Sequence, residues 1–122
     1  MAKTSPTQRS LKWLRANGLT AQVVERFNSF SKTRIDLFSF IDIVAMGSSG
    51  IVGVQATSSS NLAARITKIT EEPKARMWLE SGGQIEAHGF AKQGAQGKRK
   101  VYVMRRVRVY LDCGSICSEE IT

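Results

Sequence analysis

The feature that most constrains this chain is a pair of apolar segments joined by a short turn. Residues 38–46 are apolar except at Ser39 and Asp42, and residues 51–56 are apolar except at Gln55. The intervening Gly-Ser-Ser-Gly is typical of a turn between strands. Because both segments are almost wholly apolar, they predict an antiparallel hairpin that is buried on both faces within a sheet.

The polar residues of this hairpin predict a site for a cation. A symmetric four-residue turn places Asp42 opposite Gln55, with both side chains on one face of the sheet, and Thr57 shares that face. A buried carboxylate has to be paired or has to hold a cation, because an isolated buried charge is strongly unfavourable. Carboxylate, amide and hydroxyl oxygens suit Mg²⁺ or Mn²⁺. The alternative is structural: Asp42 accepts hydrogen bonds from a buried turn, and Gln55 is only its partner.

The rest of the chain predicts a single α/β domain. A Ser5 cap with Pro6 predicts a first helix that ends at Gly18, and later capping residues and apolar spacings predict further elements. We expect a mixed sheet flanked by helices over residues 1–111, followed by a C-terminal tail over residues 112–122. The predicted elements are a helix from Ser5, strands over 19–27, 38–46 and 51–56, helices over 62–69 and from Pro73, and strands over 84–90 and 101–111.

Part of the chain resembles a known nuclease superfamily. Ile41-Asp42-Ile43-Val44, the glycine turn and Gly53-Val54-Gln55-Ala56-Thr57, together with the helices on either side, resemble the core of the PD-(D/E)xK, or restriction-endonuclease-like, superfamily. The resemblance covers residues 8–90 and points to the small Holliday-junction-resolvase-like proteins of phages and bacteria. It implies an αβββαβ core in which an Asp and an acidic-x-Lys motif hold a divalent metal.

The function implied by this resemblance is hydrolysis of phosphodiester bonds in DNA, including branched or structured DNA, with Mg²⁺ or Mn²⁺. The resemblance also implies a cytoplasmic location in a bacterial or phage-infected cell, and a possible homodimer that cuts two strands. The first alternative is a catalytically degenerate protein that binds DNA or a partner protein without cleavage. The second is a protein–protein adaptor that binds an acidic partner.

The chain departs from the superfamily motif at two positions. Gln55 stands where the family usually has Glu, and Thr57 stands where it has Lys, so the usual cation is missing. Resemblance to divergent members implies that Lys68 or Arg65, on the following helix, takes over that role. Glu25 could replace the acid that the family often places in its first helix, and Asp36 is a further candidate acid. The predicted catalytic residues are Asp42, Gln55, Thr57, Lys68 and Glu25, and the predicted metal ligands are Asp42 and Gln55.

Charge predicts a polyanionic partner. Eighteen Lys and Arg against ten Asp and Glu give a net charge of +8, which favours nucleic acid. The last predicted strand alternates cations with Tyr102 and Tyr110 on one face, a pattern suited to phosphate contacts or to the protection of an edge strand. The serine and threonine hydroxyls before the helix over 62–69 either bind phosphate or only cap that helix. The predicted DNA-binding residues are Lys98, Arg99, Lys100, Arg106, Arg108, Ser59 and Ser60.

Other classes of protein are disfavoured by what the sequence lacks. No apolar run approaches the ~20 residues of a membrane span, and the start of the chain does not resemble a signal peptide. Cys113, Cys117 and His88 do not form a recognisable zinc-binding set. We therefore expect two ordinary cytoplasmic thiols, a surface position for His88 on its strand, and no membrane partner.

Overall fold

The fold is mixed α/β, as predicted. A computed structural model describes residues 4–97 and 99–121, within which three α-helices accompany a six-stranded mixed sheet and a separate two-stranded hairpin. The elements are α1 (Pro6–Ala16), β1 (Thr20–Val23), β2 (Arg26–Asn28), β3 (Thr33–Ile35), β4 (Ile43–Gly47), β5 (Gly50–Ser58), α2 (Leu62–Glu71), α3 (Pro73–Glu80), β6 (Gln84–Gln93), β7 (Val101–Asp112) and β8 (Ser115–Ile121). No helix in the described ranges is long and apolar enough to cross a membrane.

The large sheet has the strand order β1-β4-β5-β6-β7-β8. Strands β5 and β6 run parallel, and every other neighbouring pair in this sheet is antiparallel. The parallel pair is possible because α2 and α3 form the crossover between β5 and β6. Strands β2 and β3 pair only with each other, so the segment between β1 and β4 leaves the sheet and returns to it.

Each face of the sheet is covered by helices. Leu14 of α1 packs with Ile43 and Val54 on one face, and Leu62 and Ile69 of α2 pack with residues of β6 and β7 on the other. Full burial of such a side chain stabilises the fold by about 1.5–3 kcal/mol. Because neighbouring residues of a strand point to opposite faces, burial of Val54 under α1 turns Gln55 towards the α2 and α3 side.

Four parts of the structure differ from the sequence prediction. The predicted strand over 19–27 is divided into β1 and β2, β3 is an additional strand, and the predicted strand over 38–46 begins only at Ile43. Residues 38 and 39 have positive φ angles and form a turn instead. The segment predicted as a tail pairs with β7 as β8. Its polar Ser-Glu-Glu run lacks the apolar alternation that marks a half-buried strand.

The prediction of a surface position for His88 is wrong. His88 is fully buried under α1, and its ring meets Trp13 edge-on at a centroid distance of 5.6 Å. Its Nδ1 lies 2.9 Å from Ser10 Oγ, and its Nε2 lies 2.9 Å from Glu86 Oε1. Burial is tolerated because both ring nitrogens have partners. The partner on α1 is distant in sequence, so strand alternation alone could not reveal it.

Candidate metal centre

Three carboxylates meet at one end of the large sheet. Oxygen atoms of Glu25, Asp36 and Asp42 all lie within 4.8 Å of one another. Glu25 lies between β1 and β2, Asp36 directly follows β3, and Asp42 directly precedes β4. The β2–β3 hairpin is inserted between two paired strands, so its two ends return to the same place and bring these residues together. The structure therefore contains an acidic cluster that could hold a metal ion.

The β4–β5 hairpin has the predicted register, but its regular pairing ends at Ile43, the residue that follows Asp42 in the chain. The partners run from Gly47–Gly50 to Ile43–Val54. The Asp42 N–H donates to Val54 O at 2.9 Å, and Asp42 Oδ2 accepts from the Ala56 N–H at 2.9 Å. The backbone of β5 therefore fixes the Asp42 carboxylate at its place in the cluster.

Gln55 joins the cluster through Asp36. Its side chain is 2% exposed, and its Nε2 donates to Asp36 Oδ2 at 3.2 Å. Its Oε1 is buried and has no hydrogen-bond partner among the described residues. An unsatisfied buried acceptor costs about 1–3 kcal/mol. Oxygen atoms of Asp36 and Asp42 lie within 4.8 Å of each other, so the Asp42 carboxylate and the Gln55 amide both lie beside Asp36.

The electrostatics of the cluster favour a bound cation. The pKa of Asp42 is raised to about 8, chiefly by burial and also by the neighbouring Asp36 and by the negative charges of Asp36 and Glu25, while the hydrogen bond from the Ala56 N–H lowers it. Three carboxylates this close cannot all ionise readily without a compensating positive charge. A divalent cation would supply that charge, and the unpartnered Gln55 Oε1 would add a fourth oxygen ligand. The residues present therefore fit a hard metal ion.

The remaining predicted catalytic residues lie in different settings. Thr57 is buried and, by alternation along β5, shares the face of Gln55. Lys68 is exposed on α2, and Arg65 is half-buried one turn before it. No hydrogen bond or ion pair within residues 4–97 and 99–121 joins Lys68 or Arg65 to the acidic cluster. The prediction that Lys68 or Arg65 of α2 takes the role of the motif lysine is therefore not supported by any contact among the described residues.

The cations beside the cluster come from other elements. Arg34 Nη1 lies 2.8 Å from Glu25 Oε1, and the Arg34 side chain is 70% exposed. A cavity of about 420 Å³ is lined by Glu25, Arg34 and Arg26 among other residues. A second cavity, of about 410 Å³, is lined by Asp36, Arg26 and Lys74 among others. The sequence did not reveal Arg26 and Arg34 because the hairpin that carries them was not predicted, and it did not reveal Lys74 because its element, α3, was not expected to face this end of the sheet.

The predicted DNA-binding arginines of β7 have partners within the protein. The Arg106 guanidinium donates to both carboxylate oxygens of Glu86 at 3.1 Å and lies 4.4 Å from the ring centroid of Trp13. Arg108 Nη2 lies 3.1 Å from Glu119 Oε1. Arg106 thus forms part of the packing of α1 against the sheet, whereas Arg108 forms a surface ion pair.

The other predicted DNA-binding residues lie in two loops. Arg99 and Lys100 are exposed between β6 and β7, and Lys98 lies outside the described residues. Ser59 and Ser60 begin the short 3₁₀ turn before α2. Ser60 Oγ lies 3.0 Å from Ser58 Oγ, and the buried Ser59 Oγ has no partner among the described residues.

The β6–β7 hairpin extends beyond the end of β5. The parallel register pairs Ser58, the last residue of β5, with Phe90, but β6 continues to Gln93 against Val101. We call residues 91–97 and 99–103 the basic arm. Since β5 and β6 run parallel, the arm leaves the sheet at the same end as Gln55 and the acidic cluster. The exposed cations of the arm therefore project from the end of the sheet that carries the cluster.

Comparison of the chain with protein-family models, with curated proteins and with solved structures finds no match. The acidic cluster, Gln55 and the surrounding cations are therefore the features from which a function can be inferred.

Proposed function

We propose that this protein is a metal-dependent DNA endonuclease that hydrolyses phosphodiester bonds, with Mg²⁺ or Mn²⁺ held by Glu25, Asp36, Asp42 and Gln55. The observation that carries this proposal is the buried, unpartnered Gln55 Oε1 at the three-carboxylate cluster. In their ionised forms, which bind a metal, the three carboxylates only accept hydrogen bonds, so they cannot satisfy the amide carbonyl. A cation satisfies the carbonyl and the carboxylates together.

The chemistry divides between the metal and the residues of the chain. A divalent cation would polarise a phosphate oxygen and lower the pKa of a water molecule. The three carboxylates hold the ion, and the Ala56 N–H keeps Asp42 in position. Arg34, Arg26 and Lys74 provide positive charge beside the cluster, where Thr57 cannot supply the charge of the usual motif lysine.

The basic arm and the net charge of +8 support a DNA substrate. Contacts from Arg99 and Lys100 would neutralise backbone phosphates and would not read base sequence. The resemblance to resolvase-like proteins makes branched DNA the first substrate to test. The same resemblance implies that the protein acts in a bacterial or phage-infected cell. A homodimer would place two such centres on two strands.

A second candidate function is DNA binding, or binding of a partner protein, without cleavage. Thr57 favours it, because this buried residue carries no charge at the position where the superfamily motif has lysine. In this case the acidic cluster would have a structural role, and DNA would be bound without hydrolysis.

The two functions are separated by assaying branched and linear DNA with Mg²⁺ and with Mn²⁺. We expect cleavage by the wild-type protein and a loss of at least about 100-fold in Asp42→Asn, since even residues that only support metal ligands contribute about 10–100-fold. The matched control is Asp112→Asn, which changes an exposed Asp at the end of β7 and should leave cleavage unaltered. Calorimetric titration with Mn²⁺ should show weaker binding only in Asp42→Asn.

The outcomes that contradict the proposal are distinct. Cleavage that is equal in wild type and Asp42→Asn removes the cluster from the reaction. DNA binding by the wild-type protein without any cleaved product, under either metal, selects the second function. Asp42→Asn should fold, because Asn has nearly the same shape and keeps an oxygen that can accept the hydrogen bond from the Ala56 N–H.

A further inference from the structure

An aromatic residue lies in an unusual turn directly beside the acidic cluster. Phe38 and Ser39 have φ angles of 52° and 72°, and the Phe40 N–H donates to Leu37 O at 3.3 Å. Two consecutive positive φ angles are the pattern of a type I′ turn, for which Asn-Gly is preferred. A bulky residue in this conformation is an outlier, and such outliers concentrate at functional sites.

The turn presents its aromatic ring to solvent. Phe38 is 48% exposed, and its ring centroid lies 6.2 Å from that of Trp78 on α3. A phenylalanine in an apolar segment is usually buried. The turn thus holds a large flat apolar surface at the mouth of the cluster, separated from Asp36 by a single residue.

The surroundings of Phe38 combine aromatic and cationic groups. The cavity of about 410 Å³ beside Asp36 is lined by Phe38, Arg26 and Lys74. Phe38 also lines an apolar cavity of about 390 Å³, together with Trp78 and Lys74. An aromatic face accepts any nucleobase by stacking, and nearby cations neutralise the phosphates on either side of the base.

We propose that Phe38 and the cavity beside Asp36 hold the base of the nucleotide next to the cleaved phosphate. The inference rests on the proposed function, because a phosphate at the acidic cluster brings the neighbouring nucleotide to this cavity. A base that stacks on Phe38 must leave its own stack, which is easiest in single-stranded or unpaired DNA. The substrate class is therefore DNA with an unpaired nucleotide at the cleaved position, as at a branch or a free end.

The inference is tested by binding of a short oligonucleotide that contains 2-aminopurine, a base whose fluorescence is quenched by stacking. The single-stranded oligonucleotide and its fully paired duplex are titrated in Ca²⁺, which oxygen ligands also bind. The test variant is Phe38→Asn, since Asn tolerates a positive φ and removes the ring. Phe38→Tyr keeps the ring, and Met46→Ala removes an equally exposed apolar side chain from the far end of β4.

We expect the wild-type protein to bind the single strand more tightly than the duplex and to quench its fluorescence. Phe38→Asn should weaken single-strand binding about 5- to 150-fold and abolish quenching, from the usual contribution of one stacked base. Phe38→Tyr and Met46→Ala should retain both properties. Thermal unfolding of each variant establishes that it is folded.

Equal binding by wild type and Phe38→Asn, or a wild-type preference for the duplex, would overturn the inference. In either case cleavage that depends on Asp42 would leave the proposed function standing. Wild-type protein that neither binds nor cleaves DNA would overturn both, so the two failures are distinguishable.

Discussion

At the scale of single residues, Gln55 is the side chain at the acidic cluster whose hydrogen bonding is left incomplete by the described part of the chain. Its NH₂ group has a natural partner in the Asp36 carboxylate, because a carboxylate only accepts hydrogen bonds. Its carbonyl requires a donor, and the three nearby side chains are acids. The Gln55 carbonyl has no partner among the described residues, and a metal ion held by the carboxylates could also bind this oxygen.

The turn that positions Phe38 also predicts a stability effect at Ser39. Ser39 is exposed with φ of 72°, a conformation that glycine adopts without the steric penalty of about 1–2 kcal/mol for other residues. We expect Ser39→Gly to stabilise the protein by about 1 kcal/mol and to raise Tm by about 4 °C. Differential scanning calorimetry measures the change.

The control for this prediction is Ser29→Gly, in the turn between β2 and β3. Ser29 is also exposed, but it is not among the positive-φ residues, so glycine there should lower Tm or leave it unchanged. An equal rise in both variants would show that strain at Ser39 is not the cause.

At the scale of secondary-structure elements, a buried polar network fastens α1 to β6 and β7. Ser10 of α1, His88 and Glu86 of β6, and Arg106 of β7 are joined through their side chains. Burial alone would raise the pKa of Glu86, but hydrogen bonds from His88 and Arg106 and the positive charge of Arg106 lower it to about 2. The ionised form of Glu86 is therefore part of the folded structure.

This network predicts how stability changes with pH. The pKa of Glu86 is lower in the folded protein than its ordinary value of 4.5, so its contribution is complete above pH 4.5 and is lost as pH falls towards 2. The shift corresponds to roughly 3 kcal/mol. In urea unfolding at pH 7 and at pH 3, we expect the free-energy difference between wild type and Glu86→Gln to shrink at the lower pH.

Glu119→Gln is the control for Glu86, since Glu119 also pairs with an arginine but at the exposed surface. Surface pairs contribute little, so its effect should be small at both values of pH. If the free energies of unfolding of wild type and Glu86→Gln differ by the same amount at pH 7 and at pH 3, the lowered pKa of Glu86 is contradicted.

The elements differ in how well the sequence predicts them. The β4–β5 register is predictable because two apolar segments and a four-residue turn leave few alternatives. The β2–β3 hairpin is not, because Phe27 and Phe30 are 63% and 98% exposed and no buried face imposes a period on it. This hairpin brings Glu25 and Asp36 together. The sequence therefore identifies Asp42, Gln55 and Glu25 as candidates but cannot show that Asp36 links them.

At the scale of the whole molecule, opposite charges are separated along one end of the sheet. The acidic cluster lies at the start of β4 and the end of β5, while the basic arm continues from β6 and β7 at the same end. Under the proposed function, a polyanion attracted by the arm would come to lie beside the acidic cluster, which repels phosphate until a cation is bound. Metal binding would then be a condition for the approach of the DNA backbone.

The arm predicts a specific salt dependence of DNA binding. Each phosphate contact contributes about 0.9 to the slope of log K against log salt concentration on duplex DNA. If Arg99 and Lys100 both contact phosphate, the double change Arg99→Gln with Lys100→Gln should reduce the magnitude of that slope by about 1.8. Fluorescence anisotropy with labelled duplex DNA over a range of NaCl concentrations measures the slope.

Arg105→Gln with Arg108→Gln is the matched control, because it removes the same charge from β7. These arginines are already paired with Glu120 and Glu119, so we expect them to neutralise few phosphates and to release few counterions from the DNA. We expect their loss to leave the slope nearly unchanged, although it lowers the net charge equally. Equal reductions in both double variants would mean that net charge, and not the basic arm, attracts DNA. A reduction confined to the first variant places the DNA backbone on the arm, at the end of the sheet that carries the acidic cluster.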